Sequence, residues 1–148
     1  MMEEKRLLEL IEQYSNVYLF ATKRLDRVLV NRAMNISLEQ FSILRALDSS
    51  GSLTAKQLAE TMDVHKSAVT TKIARLEERK LVTREADDMD RRSFNITLTD
   101  DGRKVLEHSR QAVTDFIRPY FEQLDENELE SFLNVYEKLN TMLLEEKD

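Results

Sequence analysis

Two glycines and one proline are spread over 148 residues, which leaves the backbone few places for the positive-φ and tight-turn conformations that many-stranded sheets need. The chain is therefore expected to be mostly helical, with any sheet small. Within that limit the N-terminal segment carries the clearest pattern. Leu7, Ile11, Tyr14, Tyr18, Ala21, Leu25 and Val28 recur at alternating spacings of four and three, which puts all seven on one stripe of a helix from about 3 to 32. At 1.5 Å per residue this helix is roughly 45 Å long. That is more than the core of a small domain covers, so the stripe calls for a partner beyond its own neighbours, and a second copy of the chain is the simplest one.

Helix starts are marked further along. Ser37-Leu-Glu-Gln40 reads as a capping box opening a helix with Phe41, Leu44 and Leu47 inside and an end near Asp48. Ser49-Ser-Gly51-Ser is a loop, and Thr54-Ala-Lys-Gln57 is a second capping box opening a short helix that buries Leu58, Ala59 and Met62. After a break at Asp63-Val64-His65, Val69, Ile73 and Leu76 form the inner face of a helix over 66–80. Two helices joined by a tight turn make a helix-turn-helix. Leu81–Glu85 and Phe94–Leu98 then alternate apolar and polar residues around the charged segment 87–92, as a two-stranded β-ribbon with a basic tip does. Thr99 caps a long helix over 100–124 carrying Val105, Leu106, Val113, Phe116, Ile117 and Tyr120, which Pro119 should bend or interrupt. Asp125-Glu-Asn-Glu128 is a third capping box, and the last helix buries Leu129, Phe132, Leu133, Tyr136, Leu139 and Leu143 on one face. The expected fold is a single, mostly α domain over 1–148. A winged helix-turn-helix lobe over 36–99 with a two-stranded β-wing is flanked by long N- and C-terminal dimerisation helices over 1–35 and 100–148.

Composition removes whole classes of function. With no cysteine the chain has no disulfide, thiolate nucleophile, cysteine zinc site or thiol redox switch. There is no run of 18 apolar residues, and the first thirty residues are charged throughout, which points to a cytoplasmic protein with neither a membrane span nor a signal peptide. His65 and His108 are the only histidines, so no metal is expected. With no glycine-rich phosphate loop and no histidine set beside an acid in a shared motif, no catalytic residue and no cofactor is expected, and the chain does not read as an enzyme.

The net charge of −6 would oppose a nucleic-acid partner if it were uniform. Residues 54–92 carry nine Lys/Arg against eight Asp/Glu, whereas the remainder carries 13 against 20. The stretch 65–80 holds five basic residues and only Glu77 and Glu78. Opposite the buried face of the 66–80 helix stand Ser67, Thr71 and Arg75, flanked by Ala68, Thr70 and Lys72, with Lys66 at the N-terminus. Arginine can pair bidentately with guanine, threonine offers a methyl to thymine and a hydroxyl to phosphate, and lysine neutralises the backbone, so this face suits a major groove of double-stranded DNA. A charged exposed face alone is commonplace. Its place after a short capped helix and before a basic hairpin, whose arginines can reach an adjacent minor groove, makes DNA binding the preferred reading.

From Leu58 to Gly102 the chain resembles the DNA-binding lobe of the MarR family of bacterial regulators. The resemblance rests on Arg75-Leu-Glu-Glu-Arg-Lys-Leu81-Val, then Arg84, Asp90-Arg-Arg92-Ser and Leu98-Thr-Asp-Asp-Gly102. It implies that Ser67, Thr70, Thr71 and Arg75 read the major groove, that Arg92 enters the minor groove beside Arg91, and that Asp90 orients the wing arginines. It also implies a homodimer that regulates transcription, expected to be a repressor on a pseudo-palindromic site, and release by a small aromatic or anionic effector. Lys80 stands where the family has a glycine ending the recognition helix, so the turn there is expected to differ. Arg84 has two readings of equal weight: a residue of the wing base or effector cavity, or a strand residue paired with a nearby acid. Tyr14 and Tyr18 are read as dimer core, with the lining of a cavity for an aromatic effector as the alternative. The alternative to a DNA reader is a winged-helix protein-interaction module, against which Arg75, Arg91 and Arg92 argue.

Overall fold

The computed structural model describes residues 1–90 and 92–146; the expectation placed on Arg91 lies outside them. The described chain forms six helices and three strands in the order α1 (Glu4–Arg32), α2 (Leu38–Ser50), β1 (Leu53–Thr54), α3 (Ala55–Met62), α4 (Lys66–Glu78), β2 (Val82–Ala86), β3 (Phe94–Leu98), α5 (Asp100–Phe121) and α6 (Glu126–Glu145). It divides into two compact units, Met1–Val113 and Thr114–Asp148.

Local chemistry sets the boundaries of the first unit. Ser37 and Gln40 form a reciprocal capping box at the start of α2, as Thr54 and Gln57 do at the start of α3, each satisfying two N–H groups that a helix start leaves open. Gly51 ends α2 at φ 83°, returning its N–H to Leu47 O at 2.7 Å, a conformation glycine takes without steric cost. Asp63 ends α3 in the left-handed region at φ 54°, one of the few side chains that tolerate it. With Val64 and His65 it makes the tight turn between α3 and α4.

The core is the lobe around these helices. Phe41, Ile43, Leu44, Leu47, Leu58, Ala59, Val69, Ile73, Leu76, Val82, Ile96, Leu98, Val105 and Leu106 are all buried, so the faces expected of α2, α3 and α4 are the ones that pack, except that Met62 at the end of α3 is half-buried. The sheet has the order β1-β3-β2, antiparallel throughout, with Leu53 opposite Ile96 and Val82 opposite Leu98. β1 adds a third strand to the expected ribbon. Only two residues long between a loop and a helix cap, it has no alternation to read. Thr99 closes the base of the ribbon: its N–H donates to Leu81 O at 3.1 Å, its hydroxyl donates to Lys80 O at 2.7 Å, and its Oγ1 accepts the Gly102 N–H at 2.9 Å. Arg110 on α5 spans Asp48 of α2 at 3.0 Å and Glu107 at 2.7 Å.

The terminal helices differ from the lobe in burial. In α1 only Val28 and Leu29 are buried, and Leu7, Ile11, Tyr14 and Tyr18 are about half exposed. In the second unit, α6 opens with the third capping box, Asp125 with Glu128, yet contains no buried residue: Phe132, Leu133, Leu139 and Leu143 are exposed within the chain, and Leu129 and Tyr136 are half-buried. The buried face expected there is thus present as a stripe but uncovered. α5 runs through Pro119 and ends two residues later at Phe121, short of the expected 124, the chain leaving it in a tighter turn in which the Gln123 and Leu124 N–H groups reach Tyr120 O at 3.2 Å and Phe121 O at 3.1 Å.

Candidate nucleic-acid interface

α4 is oriented by its three buried residues, Val69, Ile73 and Leu76. With that face fixed, Lys66, Ser67, Ala68, Thr70, Thr71 and Arg75 are exposed and Lys72 is half-buried. The hydroxyls of Thr70 and Thr71 donate back to Lys66 O at 2.8 Å and Ser67 O at 3.4 Å. This bonding spends the hydroxyl proton and leaves the oxygen lone pairs available to accept. His65 is the extended N-cap residue, with no side-chain cap bond. Neither α3 nor α4 has an acid in its first turn, and Lys56 and Lys66 stand there instead. A cation at that end runs against the helix dipole. Both helix starts therefore add to a positive local field rather than neutralising it.

The end of α4 settles the question raised by Lys80. Its φ is 61°, and the Leu81 N–H returns to Leu76 O at 3.0 Å while the Lys80 N–H reaches Glu77 O at 2.9 Å. Lysine thus adopts the left-handed turn that glycine favours, and the expected difference is not found; the departure costs about 1 kcal/mol rather than a change of geometry. Arg79 turns away to the α1–α2 connection, donating to Met34 O at 2.6 Å and Asn35 O at 3.0 Å. Both of those residues are left-handed at φ 60°.

The wing tip is held by its own backbone. Asp87 N–H donates to Ser93 O and Ser93 N–H to Asp90 O, each at 3.0 Å. The Asp90 carboxylate accepts the backbone N–H of Arg92 at 2.9 Å and the Ser93 hydroxyl at 3.4 Å. Its grip on Arg92 is on the main chain, leaving the guanidinium to solvent. Arg84, on β2, donates from Nε to Glu77 Oε2 at 3.1 Å and lies 5.4 Å from the centre of the Phe94 ring. Its two readings meet here, because it is a wing-base strand residue and its acid is Glu77.

Between α4 and the wing lies a cleft of about 210 Å³ lined by Lys56, Lys66, Thr70, Arg84, Arg92 and Phe94 among others. It joins three of the expected residues, Lys66, Thr70 and Arg92. Ser67, Thr71, Lys72 and Arg75 lie on α4 outside this lining. Lys56 and Arg84 are the basic residues that sequence reasoning left out of the site, and the signal for Lys56 was legible: a lysine inside the Thr54–Gln57 capping box, in a first helical turn where an acid is favoured. Among the described residues no group of histidine and acid side chains could hold a metal ion, and no helix is long and apolar enough to cross a membrane.

The MarR family model matches residues 36–94. An uncharacterized HTH-type transcriptional regulator of Bacillus subtilis, YdgG, is 30% identical over 138 residues, covering 91% of each chain. Among solved structures, the transcriptional regulator BldR from Sulfolobus solfataricus superposes with a TM-score of 0.79 at 27% identity, over 97% of this chain and 98% of that one. A mutant MarR from E. coli complexed with operator DNA has the same fold, with a TM-score of 0.75 at 22% identity over 90% and 97% of the two chains. The chain belongs to the MarR family of winged helix-turn-helix DNA-binding proteins, which regulate transcription and are not enzymes.

Proposed function

We propose that the chain is a homodimeric repressor that reads a pseudo-palindromic promoter site. Residues 36–99 act as the DNA-binding lobe, and the helices within 1–35 and 100–148 act as the dimerisation region. The observation that carries the reading is the placement of α4's exposed polar face beside a wing whose Arg92 shares one basic cleft with Lys66 and Thr70. In the major groove, Arg75 is the bidentate donor to guanine, Ser67, Thr70 and Thr71 contact bases or phosphate, and Lys66 and Lys72 neutralise the backbone. Arg92 enters the adjacent minor groove, with Arg91 beside it and Asp90 holding the turn. That a MarR protein of the same fold has been crystallised with operator DNA supports this placement.

Dimerisation follows from the uncovered stripes. Leu7, Ile11, Tyr14, Phe132, Leu133 and Leu143 are each 45–65% exposed in the single chain. Burying a large apolar side chain fully is worth about 1.5–3 kcal/mol, and an apolar stripe of this kind along a helix marks an interface rather than a solvent face. A second copy covers it and places two lobes about one helical turn, roughly 34 Å, apart on DNA. The acidic stretch 119–148, with two lysines against nine acids, then belongs away from phosphate. Repression is by occupying the promoter, in the cytoplasm. A small aromatic or anionic effector that favours another lobe spacing releases the protein, because binding can shift only an equilibrium between spacings that the effector distinguishes.

The test is fluorescence anisotropy with a duplex from the region upstream of the protein's own gene and with a scrambled duplex. Specific regulators discriminate by about 10³ or more. Equal affinity for the two duplexes, followed by no enrichment in a genome-wide DNA selection, overturns the proposal in favour of a protein-interaction module.

A further inference from the structure

The inner face of the wing changes character along its length. Val82, Arg84 and Ala86 stand opposite Leu98, Ile96 and Phe94, and directly paired residues of antiparallel strands share a face. At the base Val82, Leu98 and Ile96 are buried. The apolar contact stops there, and the next position toward the tip on β2 is an arginine. Arg84 Nε donates to Glu77 Oε2 at 3.1 Å, and its guanidinium carbon lies 5.4 Å from the centre of the Phe94 ring. Three elements meet in this cluster: Glu77 from the last turn of α4, Arg84 from β2 and Phe94 from β3. Beyond it, the hydrogen bonds described at the tip, Asp87 to Ser93 and Asp90 to Arg92 and Ser93, are internal to the wing. Among the described residues these bonds shape the tip and do not reach α4.

We propose that Glu77, Arg84 and Phe94 form a clasp that sets the angle of the wing against α4, which makes Arg84 a positioning residue for the groove contact of Arg92 rather than a contact itself. The consequence for DNA rests on the function proposed above; the clasp does not. Arg84 and Glu77 are 35% and 43% exposed, and so exposed a pair adds little to global stability. Variants therefore fold. The clasp ties β2 and β3 to the last turn of α4 on the tip side of the buried base, where a small interaction decides between orientations. Geometry decides how both grooves are met, because α4 and Arg92 must engage successive grooves together.

The experiment uses four full-length proteins in a double-mutant cycle: wild type, Glu77→Gln, Arg84→Met and the double variant. Amide residual dipolar couplings of the free, ¹⁵N-labelled proteins report whether residues 86–90 share the alignment of α4. The expected result is that they do in wild type, depart from it in either single variant, and depart no further in the double. Couplings that keep the wild-type fit in both single variants overturn the clasp. Affinity for the upstream duplex supplies a second readout, in which sign discriminates. Removing the negative charge of Glu77 should tighten binding to phosphate if the pair has no positional role. With the clasp, Glu77→Gln weakens binding by about 5- to 20-fold, Arg84→Met by a similar factor, and the double by no more than either. Hydroxyl-radical protection of the outer minor grooves is lost while guanine N7 protection under α4 persists. Tighter binding by Glu77→Gln, or additive losses, overturns the proposal. If the couplings behave as expected while wild type binds no duplex, the clasp stands and the DNA-reading function falls.

Discussion

Gly102 lies in the first turn of α5 with an ordinary helical backbone and is buried. Considered by backbone alone, Gly102→Ala should stabilise the helix by up to about 1 kcal/mol. Its surroundings reverse the sign. A Cβ built there runs into the carbonyl oxygen of Leu81 and stands 3.1 Å from that carbonyl carbon and 3.2 Å from Cδ2 of Leu98. The obstacle is main chain, and it is tied down: Leu81 O accepts the Thr99 N–H at 3.1 Å, and Thr99 also holds Lys80 O at 2.7 Å. Relief requires α5 to lift from the base of the wing, breaking those bonds. Overpacking costs about 1–3 kcal/mol, and a backbone partner puts this site at the upper end. After subtracting the gain in helix propensity, a net loss of about 2 kcal/mol remains. In a chain of this size that lowers Tm by roughly 4–8 °C. The assay is thermal denaturation followed by circular dichroism at fixed protein concentration, with Lys104→Ala, at an exposed position of the same helix, as the control. A Tm equal to or above wild type for Gly102→Ala would refute the close-approach argument and leave propensity as the governing effect.

Four further outcomes are expected. Arg75→Ala and Arg92→Ala each weaken binding to the specific duplex by about 1–3 kcal/mol, the worth of one good base contact, with little change at the scrambled duplex; titration of both duplexes by anisotropy checks this. Lys80→Gly, at the left-handed φ of 61°, raises stability by up to about 1 kcal/mol in urea denaturation, and a loss would mean that the lysine is held there by something other than the turn. The N–H of Glu128 chiefly, with the Glu128 side chain and the N–H of Asn127, holds the Asp125 carboxyl below the usual carboxylate range. Because the folded value is the lower one, the cap's contribution is full above the unfolded value and is lost as pH falls through the folded one, below about pH 4. Asp125→Ser, a cap that does not titrate, flattens that acid limb, so parallel Tm-against-pH curves would exclude the effect. Phe132→Asp places a charge in the uncovered stripe of α6 and shifts sedimentation from dimer to monomer; an unchanged sedimentation coefficient would place the interface elsewhere.

What was legible in the sequence is what local chemistry decides. Three capping boxes fixed the starts of α2, α3 and α6 within a residue, because each needs only two side chains three positions apart. The spacing of Val69, Ile73 and Leu76 fixed which side of α4 faces outward, and with it the exposed set from Ser67 to Arg75. Partnerships across elements were not legible. Arg84 and Glu77 are seven residues apart on opposite sides of a turn, and only the fold decides whether they meet. Asp90 grips the Arg92 main chain rather than the side chain, a distinction composition cannot carry. The stripe on α6 was correctly located, but its burial within a single chain could not be inferred, since periodicity names a face and not the surface that covers it.

Arg79 shows how a count of charges can mislead. It is one of five basic residues in 65–80, yet its guanidinium is bound to the carbonyls of Met34 and Asn35. It serves as a brace for a turn made of two neighbouring left-handed residues without glycine. Counterion release registers only the cations that replace ions on phosphate, at about 0.9 per phosphate in the logarithmic dependence of affinity on salt. A brace of this kind contributes nothing to that slope. On the function proposed above, the 65–80 segment is therefore weaker as an ion exchanger than its sequence suggests, by about one counterion per lobe, and correspondingly less prone to hold unrelated DNA.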